Sequence, residues 1–224
     1  LVPKTGPLVV VCNHPYGAID GLAAVALLEQ RRADVKVLAN HLLGKLPGYR
    51  RYLLPLDVLS TTQEARARNI ASLRAAMAWL KAGRTLILFP AGEVAHFDWK
   101  ARRVVESPWS EHAARLARRA GASVLPLYFA GHNRKRFHAA GLVHPRLRTA
   151  MLVREMLARQ QQPLEVRANG LLSPRKVKKF KSDADLTRYL RLRCFAMASG
   201  ERKPVPQLPP VGEGQPVARP KPKA

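Results

Sequence analysis

A chain of 224 residues with 47% hydrophobic side chains fits a globular protein with one substantial core. Its formal net charge of +24 implies an anionic partner: nucleic acid, an acidic membrane surface or a phosphorylated substrate. The two cysteines, Cys12 and Cys194, give no disulfide framework or metal-knuckle spacing and point to a reducing, cytoplasmic setting, and no apolar run approaches the ~20 residues of a spanning helix.

The chain starts at Leu1 without Met, so the lack of a visible signal peptide carries no weight. Strand-like apolar runs occupy Leu8–Cys12, Val35–Ala39, Thr85–Phe89, Val124–Phe129 and Leu164–Ala168. Between them lie helical patterns. One covers Asp20–Arg32, with Asp20 suited to the N-cap. A second covers Thr62–Ala82, opened by the capping-box pattern Thr61-Thr62-Gln63-Glu64 and closed by Gly83. A third opens at Ser107-Pro108-Trp109, with Ser107 as cap, and closes at Gly121. Further helices fit Pro145–Gln160 and Asp183–Ala198. Such alternation predicts an α/β domain over residues 1–200, with a central, mainly parallel or mixed sheet flanked by helices. From Glu201 the composition changes: seven prolines and five Lys or Arg against two Glu predict a disordered, Pro-rich basic tail over 201–224.

Three strand ends carry polar groups beside Gly or Pro. The first is Asn13-His14-Pro15-Tyr16-Gly17-Ala18-Ile19-Asp20, a histidine on a tight loop followed by an aspartate at a helix start. A general base with an orienting carboxylate needs this pair; a helix cap and a histidine satisfying a turn would also produce it. The second is Phe89-Pro90-Ala91-Gly92-Glu93-Val94, where Gly92 permits close backbone approach and Glu93 supplies a carboxylate, in a segment equally suited to an ordinary turn. The third, Val124–Phe129 running into Gly131-His132-Asn133, offers His132 and Asn133 as binding groups of low weight. In a parallel sheet these ends can converge on one cleft. Asn40-His41 reads as a packed turn, and His96 and Asp98 fall in a charged loop, Ala95–Arg103. No metal-ligand spacing stands out, and none is predicted.

Asn13-His14…Asp20, Phe89-Pro90-Ala91-Gly92-Glu93 and Val124-Leu125-Pro126-Leu127-Tyr128 resemble, in order and spacing, the motifs of the glycerolipid (lysophospholipid) acyltransferases. The resemblance covers about residues 5–170. It is nearest to a hemolysin-labelled branch similar to the lyso-ornithine-lipid O-acyltransferases. It implies a glycerolipid acyltransferase-like α/β fold, His14 as general base and Asp20 as its partner. Substrate would be bound by Asn13, Phe89, Pro90, Gly92 and Glu93, with Gly44–Asp57 as a further substrate-binding region. The implied reaction moves a fatty acyl group from a thioester, acyl-CoA or acyl carrier protein, to the hydroxyl of a lyso-lipid, with no other cofactor and no covalent enzyme intermediate. A backbone N–H near Gly92 is the expected oxyanion donor.

Two departures from the family pattern stand out. Five residues separate His14 from Asp20 where four are usual, so the loop must bulge to keep the contact. Val94 stands where an arginine usually binds phosphate, and Leu53–Asp57 lacks a second arginine. Both losses favour an acceptor without that phosphate, such as a lyso-aminolipid. The lipid acceptor implies peripheral binding to the anionic, cytoplasmic face of a membrane, through basic clusters such as Arg50-Arg51, Arg102-Arg103, Arg134-Lys135-Arg136 and Arg175–Phe180, the last as an interfacial amphipathic turn. A nucleic-acid-binding protein is the alternative from charge, but aromatics are only 6% and no recognition motif is present, so nucleic acid is not the expected partner. A hydrolase using the same pair lacks Gly-x-Ser-x-Gly. A non-catalytic lipid-binding relative is the remaining alternative.

Overall fold

The computed structural model describes residues 2–46, 48–57, 60, 62–143, 151–152, 154–158 and 163–199. Among the described residues there are eight strands: β1 (Leu8–Cys12), β2 (Val35–Asn40), β3 (Leu53–Leu56), β4 (Thr85–Leu88), β5 (His96–Asp98), β6 (Arg103–Val105), β7 (Ser123–Phe129) and β8 (Val166–Ala168). Six form one sheet in the order β3-β2-β4-β1-β7-β8, and β5 and β6 form a separate antiparallel hairpin. All neighbours in the large sheet run parallel except β7 and β8, which are antiparallel. The helices are α1 (Ala18–Glu29), α2 (Gln63–Lys81), α3 (His112–Ala120), α4 (Lys135–Val143), α5 (Pro174–Lys178) and α6 (Asp183–Phe195). This is the α/β architecture with a mainly parallel sheet that the alternation of elements predicts.

β1 is buried along its whole length because helices cover both faces of the sheet. Its side chains alternate between two cores. Val9 and Val11 join Leu86, Leu88 and Val124 beneath α2, α3 and α6, while Leu8, Val10 and Cys12 join Ile87, Leu125, Leu127 and Phe129 beneath α1. Cys12 is interior packing, as its position on an apolar strand predicts, and burial raises its thiol pKa well above the usual value. The opposite end of the sheet is tied by Arg32. Its guanidinium grips Asp34 with two bonds of 2.7 and 2.6 Å, and donates to the carbonyls of Pro3, Gly6 and Gly83. These partners precede β2, β1 and β4, so one buried cation gathers the starts of three parallel strands.

Several local expectations are corrected. α1 begins at Ala18 with Gly17 at the N-cap, so Asp20 lies inside the first turn and is not the cap. α3 begins at His112, not near Ser107: the Ser107 hydroxyl donates to Glu93, and Ser110 N–H donates to the Pro90 carbonyl, so the segment braces the loop after β4. Ala95–Arg103 is largely a hairpin and not a loop. β3 is a strand despite Pro55, which an edge position tolerates. The Arg175–Phe180 segment is not an interfacial face: Val177 is buried and Phe180 packs on the core. The shorter strand at Val166–Ala168 and the end of α6 at Phe195 are smaller differences. The helix expected over Pro145–Gln160 lies largely outside the described residues, although Met151, Leu152 and 154–157 are helical, and the 201–224 tail lies wholly outside them.

Arg32→Ala leaves the half-buried Asp34 carboxylate and three carbonyls without their donor. The variant should lose about 2 kcal/mol of stability, read as a lower midpoint in urea unfolding followed by circular dichroism.

Candidate active site

β1 lies between β4 and β7, so the loops leaving the C-terminal ends of these three strands are neighbours. The first loop carries the histidine. His14 Nδ1 is 2.9 Å from Asp20 Oδ2, and the Asp20 side chain is fully buried while that of His14 is 18% exposed. The same Asp20 oxygen accepts the backbone N–H groups of Tyr16 at 2.9 Å and Gly17 at 3.0 Å. A carboxylate that reaches back to the residues before its own helix is the reciprocal arm of a capping box. Between His14 and Asp20 the chain turns at Gly17, whose φ of 94° and ψ of −127° suit glycine alone. Asp20 Oδ1 is buried and has no hydrogen-bond partner among the described residues.

With Nδ1 facing Asp20, the other ring nitrogen of His14, Nε2, lies on the opposite edge and makes no hydrogen bond among the described residues. The imidazole rests on the Phe89 ring, with centroids 4.4 Å apart. Phe89 is thus placed against the histidine from the end of β4. Pro90 is buried beside it, and Gly92, at φ 74°, closes a turn by donating its N–H to the Phe89 carbonyl at 3.0 Å. That bond occupies the Gly92 N–H itself. Glu93 is exposed and accepts the Ser107 hydroxyl.

Asn13 is committed to main chain. Its amide donates to the Phe129 carbonyl at 2.9 Å and accepts the Phe129 N–H at 2.7 Å, which ties the exit of β1 to the end of β7. Tyr16 makes a second tie through its hydroxyl to the Ala130 carbonyl at 2.7 Å. A β-carbon on Gly131 would lie 2.1 Å from that hydroxyl, so glycine is required there. Asn133 is fully buried with its amide toward the Tyr16 carbonyl, and His132 is exposed with Nδ1 2.8 Å from the Asn133 carbonyl. The third strand end therefore supports the His14 loop from behind.

Two residues near the pair escaped the sequence reading. Glu106 Oε2 accepts the backbone N–H of His14 at 3.3 Å while Oε1 accepts Trp109 Nε1 at 2.9 Å. A Glu three residues before a Trp was its only signal, hidden inside the apparent cap. Tyr49 is 2% exposed, and its hydroxyl has no hydrogen-bond partner among the described residues. That oxygen lies 2.7 Å from where a β-carbon on Gly21 would stand, close to the Phe89 ring. Burial raises the Tyr49 pKa. Tyr49 lies within Gly44–Asp57, yet nothing distinguishes it there by sequence. Among the described residues no group of three or more His, Cys, Asp or Glu side chains is arranged to hold a metal ion.

The Acyltransferase family profile matches residues 1–130, and the chain belongs to that family. It is similar to the lyso-glycine lipid O-acyltransferase of Phocaeicola vulgatus, at 27% identity over 61% of this chain and 47% of the relative. The enzyme of the same name from Bacteroides thetaiotaomicron is 28% identical over 61% of this chain and 48% of its own length. The chain spans about half the length of the curated relatives it matches.

Burial, the larger influence, raises the Glu106 pKa above the usual 4.5, against the opposing bonds from Trp109 and the His14 N–H. A carboxyl raised on folding holds its proton more tightly in the folded state. Its stabilising contribution is complete below 4.5 and is lost as pH rises through the raised value. Glu106→Gln cannot ionise. The difference in unfolding midpoint, variant minus wild type, should therefore become more positive from about pH 4 to about pH 8, measured by thermal scans at stepped pH.

Proposed function

We propose that the protein transfers a fatty acyl group from an acyl thioester, acyl-CoA or acyl carrier protein, to the hydroxyl of a lyso-lipid. The His14–Asp20 contact carries this reading. Asp20 accepts the Nδ1 proton and so leaves Nε2 unprotonated and available. A lipid hydroxyl is a weak nucleophile at neutral pH. Nε2 takes its proton as the oxygen attacks the thioester carbonyl, the tetrahedral adduct collapses, and the thiolate leaves with the proton returned by the imidazolium. The buried Asp20 charge stabilises that imidazolium. Family membership and the names of the two relatives support the reaction class. No cofactor beyond the donor takes part in this scheme.

The acceptor is best read as an aminolipid without a phosphate. Val94 is buried and apolar where the family pattern carries an arginine, and both relatives are named for a glycine lipid. Reaching it requires peripheral contact with an anionic membrane surface, on the cytoplasmic face in this reading. No helix among the described residues is long and apolar enough to cross a membrane.

His14→Ala should lower the rate of acyl transfer to a lyso-glycine lipid by about 10²–10⁴-fold, with the unfolding midpoint close to wild type. Asp20→Asn should lose a similar factor through the wrong imidazole tautomer. Mass spectrometry of the acylated product reads both. A folded His14→Ala protein with the wild-type rate would end this reading.

A further inference from the structure

We propose that the β5–β6 hairpin is the element that docks the protein on an anionic lipid bilayer, with Trp99 seated among the headgroups. This inference rests on the lipid-acyltransferase reading above and names the surface that presents the site to its acceptor. The hairpin lies outside the six-stranded sheet. At its tip Trp99 is 69% exposed, the most exposed of the large hydrophobic side chains among the described residues. Its ring meets Phe97 edge-on at 5.6 Å, which holds the indole at the tip. Lys100, Arg102 and Arg103 beside it are all exposed. The one acid of the turn, Asp98, is occupied in accepting the Ala101 N–H at 2.7 Å. Packed against β5, α4 adds exposed Lys135 and Arg136. An amphipathic indole ringed by cations suits the boundary of an anionic membrane, where the ring sits at headgroup level and each cation adds attraction.

The attachment of the hairpin gives this surface its purpose. Both feet are hydrogen-bonded to the main chain of His14: Ala95 N–H donates to the His14 carbonyl at 2.9 Å, and the His14 N–H donates to Glu106 at 3.3 Å. Each strand is three residues long. At about 3.4 Å per residue the tip therefore stands about 10 Å from the catalytic loop. Docking through Trp99 fixes the height of His14 above the bilayer, within reach of a lipid hydroxyl lifted only slightly from the interface.

The test is co-sedimentation with vesicles of equal parts phosphatidylglycerol and phosphatidylcholine, with no acyl donor present. Wild type should bind these vesicles, lose binding as salt is raised, and ignore pure phosphatidylcholine. Trp99→Ala should weaken binding roughly tenfold, and the triple variant K100E/R102E/R103E roughly 100-fold. Circular dichroism and unfolding midpoints confirm that these exposed substitutions leave the fold unchanged. Ile70→Ala, at an exposed apolar position on α2, should bind as wild type. The proposal is overturned if wild type does not bind the anionic vesicles, if either hairpin variant binds like wild type, or if these residues bind duplex DNA while the vesicles are ignored. His14→Ala should bind the vesicles fully. If that variant still transfers acyl groups, the functional reading fails and the docking result stands.

Discussion

One oxygen of Asp20 gathers three donors: the imidazole of His14 and the main-chain N–H groups of Tyr16 and Gly17. Everything else at the site follows from that convergence. The two main-chain bonds fix the loop as charge-assisted contacts do, and the position inside the first turn of α1 adds the positive end of the helix. The other oxygen, Oδ1, is buried with no partner among the described residues. A buried carboxylate gains from donors held beside it. The His14 imidazole is one of them, and the contact fixes the ring with Nε2 turned away from Asp20.

The sheet makes such a loop rigid. β1 is paired on both sides, and its exit is bolted sideways by Asn13 to Phe129 and by Tyr16 to Ala130. β4 places Phe89 against the ring, and the segment after β6 brings Glu106 to the His14 N–H. The histidine is held from three strand ends while Nε2 stays open. Three parallel strands whose far ends are gathered by Arg32 cannot slide against one another without breaking that cluster, so register at the site is set partly at the opposite edge of the sheet.

Much of this was legible in the sequence, for a physical reason. Strands buried on both faces read as unbroken apolar runs, and β1 matches its expected range at both ends. The His14–Asp20 contact and the meeting of the strand ends were legible because polar groups beside Gly or Pro at a strand end have few places to go. The rest depended on contacts distant in sequence. Ser107 looks like a cap until Glu93 and Pro90 compete for its segment. β5 and β6 are three residues each and rich in His, Asp and Arg, too short and polar for a periodic signal. Val177 and Phe180 among lysines carry a pattern that suits a membrane surface and a protein core equally, and only the packing of α5 against the sheet and α3 decides for the core.

The two departures from the family pattern lie side by side in the structure. Within the His14–Asp20 spacing, Gly17 takes φ 94°. Beside the missing β-carbon of Gly17 lie Val94 Cγ2 at 3.4 Å and Leu152 Cδ2 at 2.9 Å. The bulge is thus pressed into apolar company, and part of that company is the side chain standing where the family usually carries a phosphate-binding arginine. Gly17 and Val94 therefore meet beside the His14 loop, one giving the loop its backbone geometry and the other an apolar neighbour.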